Sequence, residues 1–420
     1  MDELQQDPHE GQLRRFSLDL RQQVVGQPGA IDKLTDSLSR LLAGIQDPER
    51  PLLAMLFMGP TGVGKTETVR ALARILFGNQ RAFTRINCQE FAAHFNLSKL
   101  MGSPPGYVGG EIKPLVCQEN LDRHCLKALD GGTGLVSQDD SLLCKILGGS
   151  ENKPLSLVLF DEIEKAHPKM WDLLLGILED GHLVLANNEE SDFRNSIIIL
   201  TSNVGSEAMS ARLGHEGIGF SSNDRATVAD MDVAAWRAAR KTFPIEFLNR
   251  FDQTLTFAPL QDEHLLRILD LQISRFHRRT LAANKPFLIQ LTPAAKIRVI
   301  EYKADPSLGA RPLNRALDQL VVTPLSHFVV QGKVNAGDLI FIDVDESGFR
   351  FHRQKAGADL RKEANIPAPP EVKWVTALIS SGDDGGEKEE ITEEVKEIAA
   401  EAAGGKDALG GAEPWGGGES

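Results

Sequence analysis

Leu52-Leu53-Ala54-Met55-Leu56-Phe57-Met58-Gly59-Pro60-Thr61-Gly62-Val63-Gly64-Lys65-Thr66 is the stretch from which the fold can be read. Its uncharged apolar run reads as a buried strand, and the apolar periodicity from Lys65 to Phe77 reads as a helix. Between them, Gly59-Pro60-Thr61-Gly62-Val63-Gly64-Lys65-Thr66 fits the phosphate-loop pattern in the strand-to-helix setting that the pattern requires. Glycines let such a loop bend until successive N–H groups face inward, and the N-terminus of the following helix adds partial positive charge. A nucleoside triphosphate such as ATP suits this cradle. Lys65 is placed to reach its β- and γ-phosphates, and the Thr66 hydroxyl to hold Mg2+.

Further along, Leu155 to Phe160 forms a second apolar run and delivers Asp161-Glu162 to its carboxyl end. Ligands of open α/β sheets bind at that end of the strands. Asp161 is expected to support the Mg2+ shell, and Glu162 to orient and deprotonate the attacking water. A charged pair after a strand is by itself more often a solvated turn; the phosphate loop upstream gives this one its catalytic reading.

Outward from these segments, strands are expected at Phe83 to Ile86 and Ile197 to Thr201, and a helix at Pro168 to Asp180. The alternation predicts an α/β domain over residues 18–258, a parallel sheet with helices on both faces, after an extension at 1–17. Pro259 opens a different pattern, with helices at Asp262 to Thr280, Pro293 to Tyr302 and Arg311 to Gln331, and strands at Phe287 to Leu291 and Asp338 to Val344. This predicts a smaller α+β domain over 259–350. The Pro-, Gly-, Glu- and Ala-rich remainder, 351–420, has too little apolar content to repay ordering and is expected to be a disordered tail.

Composition is that of an ordinary globular protein, 420 residues with 41% hydrophobic and 25% charged. Of the net charge of −13, the last forty residues carry −9, from 12 acids and 3 lysines, which leaves −4 on residues 1–380. Neither part has the clustered basic face that nucleic acid requires, so no nucleic-acid partner is expected. No apolar run approaches the roughly 20 residues of a membrane span, and the acidic opening Met1 to Glu10 is unlike a signal peptide. A cytoplasmic protein without a membrane partner is the expectation. Cys88, Cys117, Cys125 and Cys144 contain no Cys-x-x-Cys pair and read as free thiols.

The run Phe160-Asp161-Glu162-Ile163-Glu164-Lys165-Ala166-His167-Pro168 resembles the Walker B segment of the Clp ATPases of the AAA+ class. Further stretches follow in the order of that family: Val24-Val25-Gly26-Gln27, Gly106-Tyr107-Val108-Gly109, Asp192-Phe193-Arg194-Asn195, Thr201-Ser202-Asn203, Phe247-Leu248-Asn249-Arg250-Phe251-Asp252 and Gly309-Ala310-Arg311-Pro312. The resemblance runs from about residue 18 to 345. It implies that Val24 and Val25 line an adenine pocket, that Asn203 is the sensor polarising water and γ-phosphate, and that Arg311 is a second sensor on the small domain. Arg250 matches the family's arginine finger, which acts on a neighbouring subunit's nucleotide and so implies a homo-oligomeric ring, a hexamer in this family.

The same resemblance makes Tyr107 and Val108 a pore loop that grips unfolded or tagged protein substrates, with flanking glycines that let it move. Ile218-Gly219-Phe220 stands where peptidase-partnered relatives carry a loop that docks on a ClpP-type peptidase; a small apolar anchor under a surface loop explains these three residues nearly as well. The implied function is an ATP-dependent unfoldase or remodelling chaperone. The alternatives are an AAA+ assembly switch and a motor on nucleic acid. Two departures stand out. An insertion at about 113–154 has no counterpart in the usual module, and Leu185 to Ser191 lacks the Gly-Arg stretch common before the Asp-Phe pair.

Overall fold

The computed structural model describes residues 9–102, 113–123, 155–206, 209, 228–282, 286–302 and 309–354. Tyr107, Val108, Ile218, Gly219, Phe220, most of the 113–154 insertion and the tail beyond 354 lie outside the described residues. The chain divides into two compact units. One comprises Met1–Gln261 with Pro306–Ala310, and the other Asp262–Asp305 with Arg311–Ser420.

The first unit is built on a five-stranded sheet in the order β2-β3-β6-β1-β7. Its strands are β1 (Leu53–Met58), β2 (Thr84–Asn87), β3 (Ser156–Asp161), β6 (Ser196–Ser202) and β7 (Gln253–Thr256), and every pairing is parallel. β1, β3 and β6 are buried along their whole lengths, as strands covered on both faces must be. Their side chains alternate between two cores. Ala54, Leu56, Met58, Val158, Phe160, Ile198 and Leu200 face one, where the helix Pro168–Asp180 packs through Met170, Leu174, Ile177 and Leu178. Leu53, Met55, Phe57, Leu157, Leu159, Ile197 and Ile199 face the other. There the helices His9–Gln23, Pro28–Leu42 and Lys65–Phe77 contribute Phe16, Leu20, Leu34, Leu38, Val69, Leu72 and Leu76.

Local chemistry sets the helix ends that matter for the site. Lys65–Phe77 starts at Gly64 and stops at Gly78, both at positive φ. Pro168–Asp180 begins with proline at its first position, is capped by His167 Nδ1 accepting from the Lys169 amide at 3.2 Å, and ends at a left-handed Gly181. The strand β7 and the short antiparallel hairpin β4 (His182–Val184) with β5 (Glu190–Asp192) are additions to the elements expected from sequence; Leu185 to Glu189 forms the hairpin's loop. Among the described residues, no helix is long and apolar enough to cross a membrane.

The second unit has a three-stranded sheet, β10-β9-β8. β8 (Leu288–Leu291) runs parallel to β9 (Leu339–Asp345), and β10 (Gly348–Gln354) pairs antiparallel with β9. The backbone of β10 stays in the ladder to Gln354, paired with Leu339, a few residues beyond the expected boundary at 350. The expected helix Arg311 to Gln331 is also divided. Arg311–Leu317 passes into a π-turn at Asp318–Val322 before Thr323–Val330. Pro324 has no N–H and crowds the carbonyl one turn back, and the wider turn accommodates it. Leu269, Phe276, Ile289, Leu291, Val299, Leu317, Leu325, Ile340 and Ile342 form this unit's core.

One titratable group lies within that packing. His277 is fully buried, its Nε2 being 2.9 Å from the Ile289 carbonyl oxygen and 3.1 Å from the Ile289 amide nitrogen. Burial outweighs the contact with Ile289 and pushes its pKa down from 6.5 to about 4. The unfolded chain therefore binds a proton between those two values that the folded chain refuses, so stability is present above pH 6.5 and lost as pH falls toward 4. The loss is about 3 kcal/mol from this group. Urea unfolding of the full chain, followed by exchange of the Ile289 amide, should show it between pH 7 and 4.5, and His277→Gln should flatten that dependence.

Candidate functional site

The sheet order puts β3, β6 and β1 side by side, so the loops leaving their carboxyl ends converge. The phosphate loop leaves β1, Asn203 leaves β6, and Asp161-Glu162 leaves β3. Gly59 has φ +152, and a Cβ there would stand 2.6 Å from the Phe257 carbonyl oxygen. Only glycine lets the loop pass this close to the end of β7. Gly64 has φ +111 as it opens the helix.

Segments distant in sequence hold the loop in place. The buried Gln27 side chain donates to Val63 O at 3.1 Å and to Ala258 O at 2.8 Å, and accepts from the Ala258 amide at 2.9 Å. Val24 and Val25 are buried, and Val24 lies beside Gly64. Gly309 and Ala310, which belong to the first unit, sit on the loop: the Ala310 amide donates to Gly62 O at 3.1 Å, and a Cβ on Gly309 would be 2.8 Å from the Thr61 and Gly62 carbonyl oxygens. Arg311 follows as the first residue of the helix Arg311–Leu317.

Lys65 is buried at the helix start, and its ammonium donates to Gly59 O at 2.6 Å, Pro60 O at 2.7 Å and Asn203 Oδ1 at 2.9 Å. Thr61 Oγ1 donates to the same Asn203 oxygen at 3.4 Å. The buried Asp161 carboxylate accepts from Thr201 Oγ1 at 2.5 Å and Thr66 Oγ1 at 3.5 Å through one oxygen. Its other oxygen takes Arg85 Nη2 at 2.6 Å and Nε at 3.1 Å. Glu162 adopts a left-handed backbone, φ +60 and ψ +54, and its amide donates to Thr201 Oγ1 at 3.0 Å. A non-glycine residue held there costs about 1–3 kcal/mol, strain that clusters at functional sites. Cys88 is fully buried nearby; burial first, then the charges of Asp161, Glu164 and Glu162, push its thiol well above the ordinary range. A thiol kept protonated in this way is inert.

Arg250 lies elsewhere. β7 runs parallel to β1, and the Asp252 amide donates to Ala54 O at 2.9 Å, near the amino end of β1. The phosphate loop leaves the opposite end of that strand, about 16 Å away at the rise of an extended chain. Arg250 is ion-paired with Glu179, and Arg50 supports its backbone by donating to Arg250 O at 2.9 Å and Leu178 O at 3.1 Å. The sequence alone indicates no individual role for Arg85, Gln27, Thr201 or Glu164. Gln27, Thr201 and Glu164 lie inside the motifs quoted above, whereas nothing local marks Arg85 as a partner of Asp161.

A parallel sheet of this order, with a glycine-rich loop after its central strand and an acidic pair and a polar sensor position on adjacent strands, defines a P-loop nucleoside triphosphatase module of the AAA+ class. A family profile described as "AAA domain (Cdc48 subfamily)" matches residues 50–125 and 136–254, and one described as "C-terminal, D2-small domain, of ClpB protein" matches 260–342. The chain belongs to the Clp family of AAA+ ATPases. It is 36% identical over 338 residues to the chaperone protein ClpB of Gloeobacter violaceus, covering 80% of this chain and 34% of that protein. It is 36% identical over 331 residues to the negative regulator of genetic competence ClpC/MecB of Bacillus subtilis, covering 79% and 36%. Among solved structures, the extended S. cerevisiae Hsp104:casein complex superposes with a TM-score of 0.65 at 26% identity, covering 83% of this chain and 53% of that one. The chain thus spans about a third of the length of the curated relatives it matches.

Proposed function

We propose that this chain hydrolyses ATP with Mg2+ in a homo-oligomeric ring, a hexamer by family likeness, and uses the energy to unfold or remodel protein. The observation that carries the reading is the convergence of Lys65, Asn203 and the Asp161-Glu162 pair at the carboxyl ends of three adjacent strands. Lys65, now on loop carbonyls, is the cation that turns to the β- and γ-phosphates, while Gly59, Pro60, Thr61, Gly62, Val63 and Gly64 supply the bent backbone. Val24 and Val25 form the apolar wall for the adenine. Glu162 orients and deprotonates the attacking water, Asn203 polarises it, and Arg311 serves as the second sensor.

Thr66 Oγ1 and Asp161 Oδ1 are hard oxygen donors 3.5 Å apart, a pair that suits a hard divalent cation retaining several waters. Mg2+ supplies charge neutralisation at the phosphates when it is bound. Asp161 is held for that role by Thr201 and by Arg85, which balances its charge.

Arg250 serves as an arginine finger in trans. Its position at the amino edge of the sheet puts it out of reach of the phosphate loop of its own chain, which supports a shared active site. Threading rests on Tyr107 and Val108, and the relatives named as ClpB and ClpC chaperones, with the casein-bound Hsp104 complex, support protein as the substrate. A cytoplasmic location fits this role. Ile218-Gly219-Phe220 makes a ClpP-type peptidase the partner to test.

Arg250→Ala should bind nucleotide normally and lose hydrolysis on the order of a thousandfold. Mixing it with Lys65→Ala subunits should restore part of the turnover, because each supplies what the other lacks; unaltered hydrolysis by Arg250→Ala alone removes the shared site. The activity is tested by ATP-dependent unfolding of a tagged fluorescent protein, with and without a ClpP-type peptidase. Fluorescence loss is expected, and Tyr107→Ala should abolish it while leaving ATP hydrolysis in place. Brisk hydrolysis without unfolding of any tagged substrate favours the assembly switch, and stimulation by DNA favours the nucleic-acid motor.

A further inference from the structure

Glu164 lies in the short turn Ile163–Lys165, two residues beyond Glu162. Its Oε1 accepts twice from one residue on the neighbouring strand's loop: from the Asn203 backbone amide at 3.1 Å and from Asn203 Nδ2 at 3.0 Å. The other end of the same side-chain amide, Oδ1, faces the Lys65 ammonium at 2.9 Å and the Thr61 hydroxyl at 3.4 Å. An ammonium can only donate and a carboxylate can only accept, so the two charged neighbours fix which end of the Asn203 amide is oxygen and which is nitrogen. Glu164 thereby ties the loop that carries Glu162 to the loop that carries Asn203.

A second observation concerns its other oxygen. Glu164 Oε2 is buried and has no hydrogen-bond partner among the described residues. An unsatisfied buried acceptor costs about 1–3 kcal/mol. That cost falls on a side chain whose other oxygen holds both Asn203 donors, which an apolar residue here would leave without their acceptor.

We propose that Glu164 is a positioning residue for hydrolysis that acts through Asn203, an inference that rests on the ATPase reading above. When Lys65 turns from Asn203 to phosphate, Asn203 Oδ1 loses its charged donor. The two bonds to Glu164 Oε1 remain and keep the sensor side chain in place. Glu164 need not touch the nucleotide, so its loss should slow turnover without weakening binding.

The test measures, on the full chain, Kd for a fluorescent ATP analogue with Mg2+, steady-state kcat and KM for ATP, and the melting temperature. Glu164→Ala should lower kcat about 10- to 100-fold at unchanged Kd, the scale of a mispositioned catalytic group. Glu164→Gln keeps one carbonyl oxygen for Asn203 and should fall between that variant and the unaltered chain. Glu164→Ala combined with Asn203→Ala should be no slower than Asn203→Ala alone, since residues acting as one unit do not add. Unaltered kcat in both Glu164 variants, additive losses in the double variant, or parallel loss of kcat, nucleotide affinity and melting temperature would each overturn the proposal. Where Glu164→Ala fails to fold, the isosteric Glu164→Gln decides: reduced kcat at unchanged Kd supports the proposal, and full kcat overturns it. Absence of turnover in the unaltered chain removes the ATPase reading and this proposal with it, whereas brisk turnover with indifferent Glu164 variants removes this proposal alone.

Discussion

A triphosphate concentrates several negative charges, and a protein must meet them with donors fixed in advance. In this chain that requirement falls on one place, the carboxyl edge of β3, β6 and β1, where three buried parallel strands stop side by side. Burial on both faces fixes the register of those strands, and the register fixes where Lys65, Asn203 and Asp161 emerge. The helix starting at Lys65 then adds its N-terminal field to the loop. The two hydrophobic cores thus serve to hold three loop ends in alignment.

Around that edge the polar groups are nearly all committed to one another. Thr201 accepts from the strained Glu162 amide and donates to Asp161, Arg85 balances Asp161, and Asn203 spans Lys65 and Glu164. Such a network is rigid when complete, and its exceptions carry information. The left-handed Glu162 and the Glu164 oxygen that has no partner among the described residues lie two residues apart in the chain. By contrast, Arg250 is anchored at the amino edge with its own supports, Glu179 and Arg50, separate from the nucleotide edge.

The parts legible in sequence were those with strong local signals. β1, β3 and β6 are continuous apolar runs, and the helices at Lys65–Phe77 and Pro168–Asp180 are bounded by glycine or proline, so their limits could be read directly. β7, with Gln253, Thr254 and Thr256 around one buried Leu255, lacks such a run, and its place comes from pairing with β1. β10 carries Arg350, His352 and Arg353 and is held by β9, so its polar sequence concealed it. The phosphate loop and the acidic pair were legible as motifs. The Arg85 pairing with Asp161 and the Glu164 grip on Asn203 join residues far apart in the chain, and only the strand order makes them neighbours.

The most direct measurement of the central claim replaces one atom pair at this edge. Glu162→Gln should take up a fluorescent ATP analogue with Mg2+ as the unaltered chain does, yet lose turnover by on the order of a hundredfold or more, the scale of a general base. Undiminished turnover in that variant, or no uptake of nucleotide by the unaltered chain, would contradict the account.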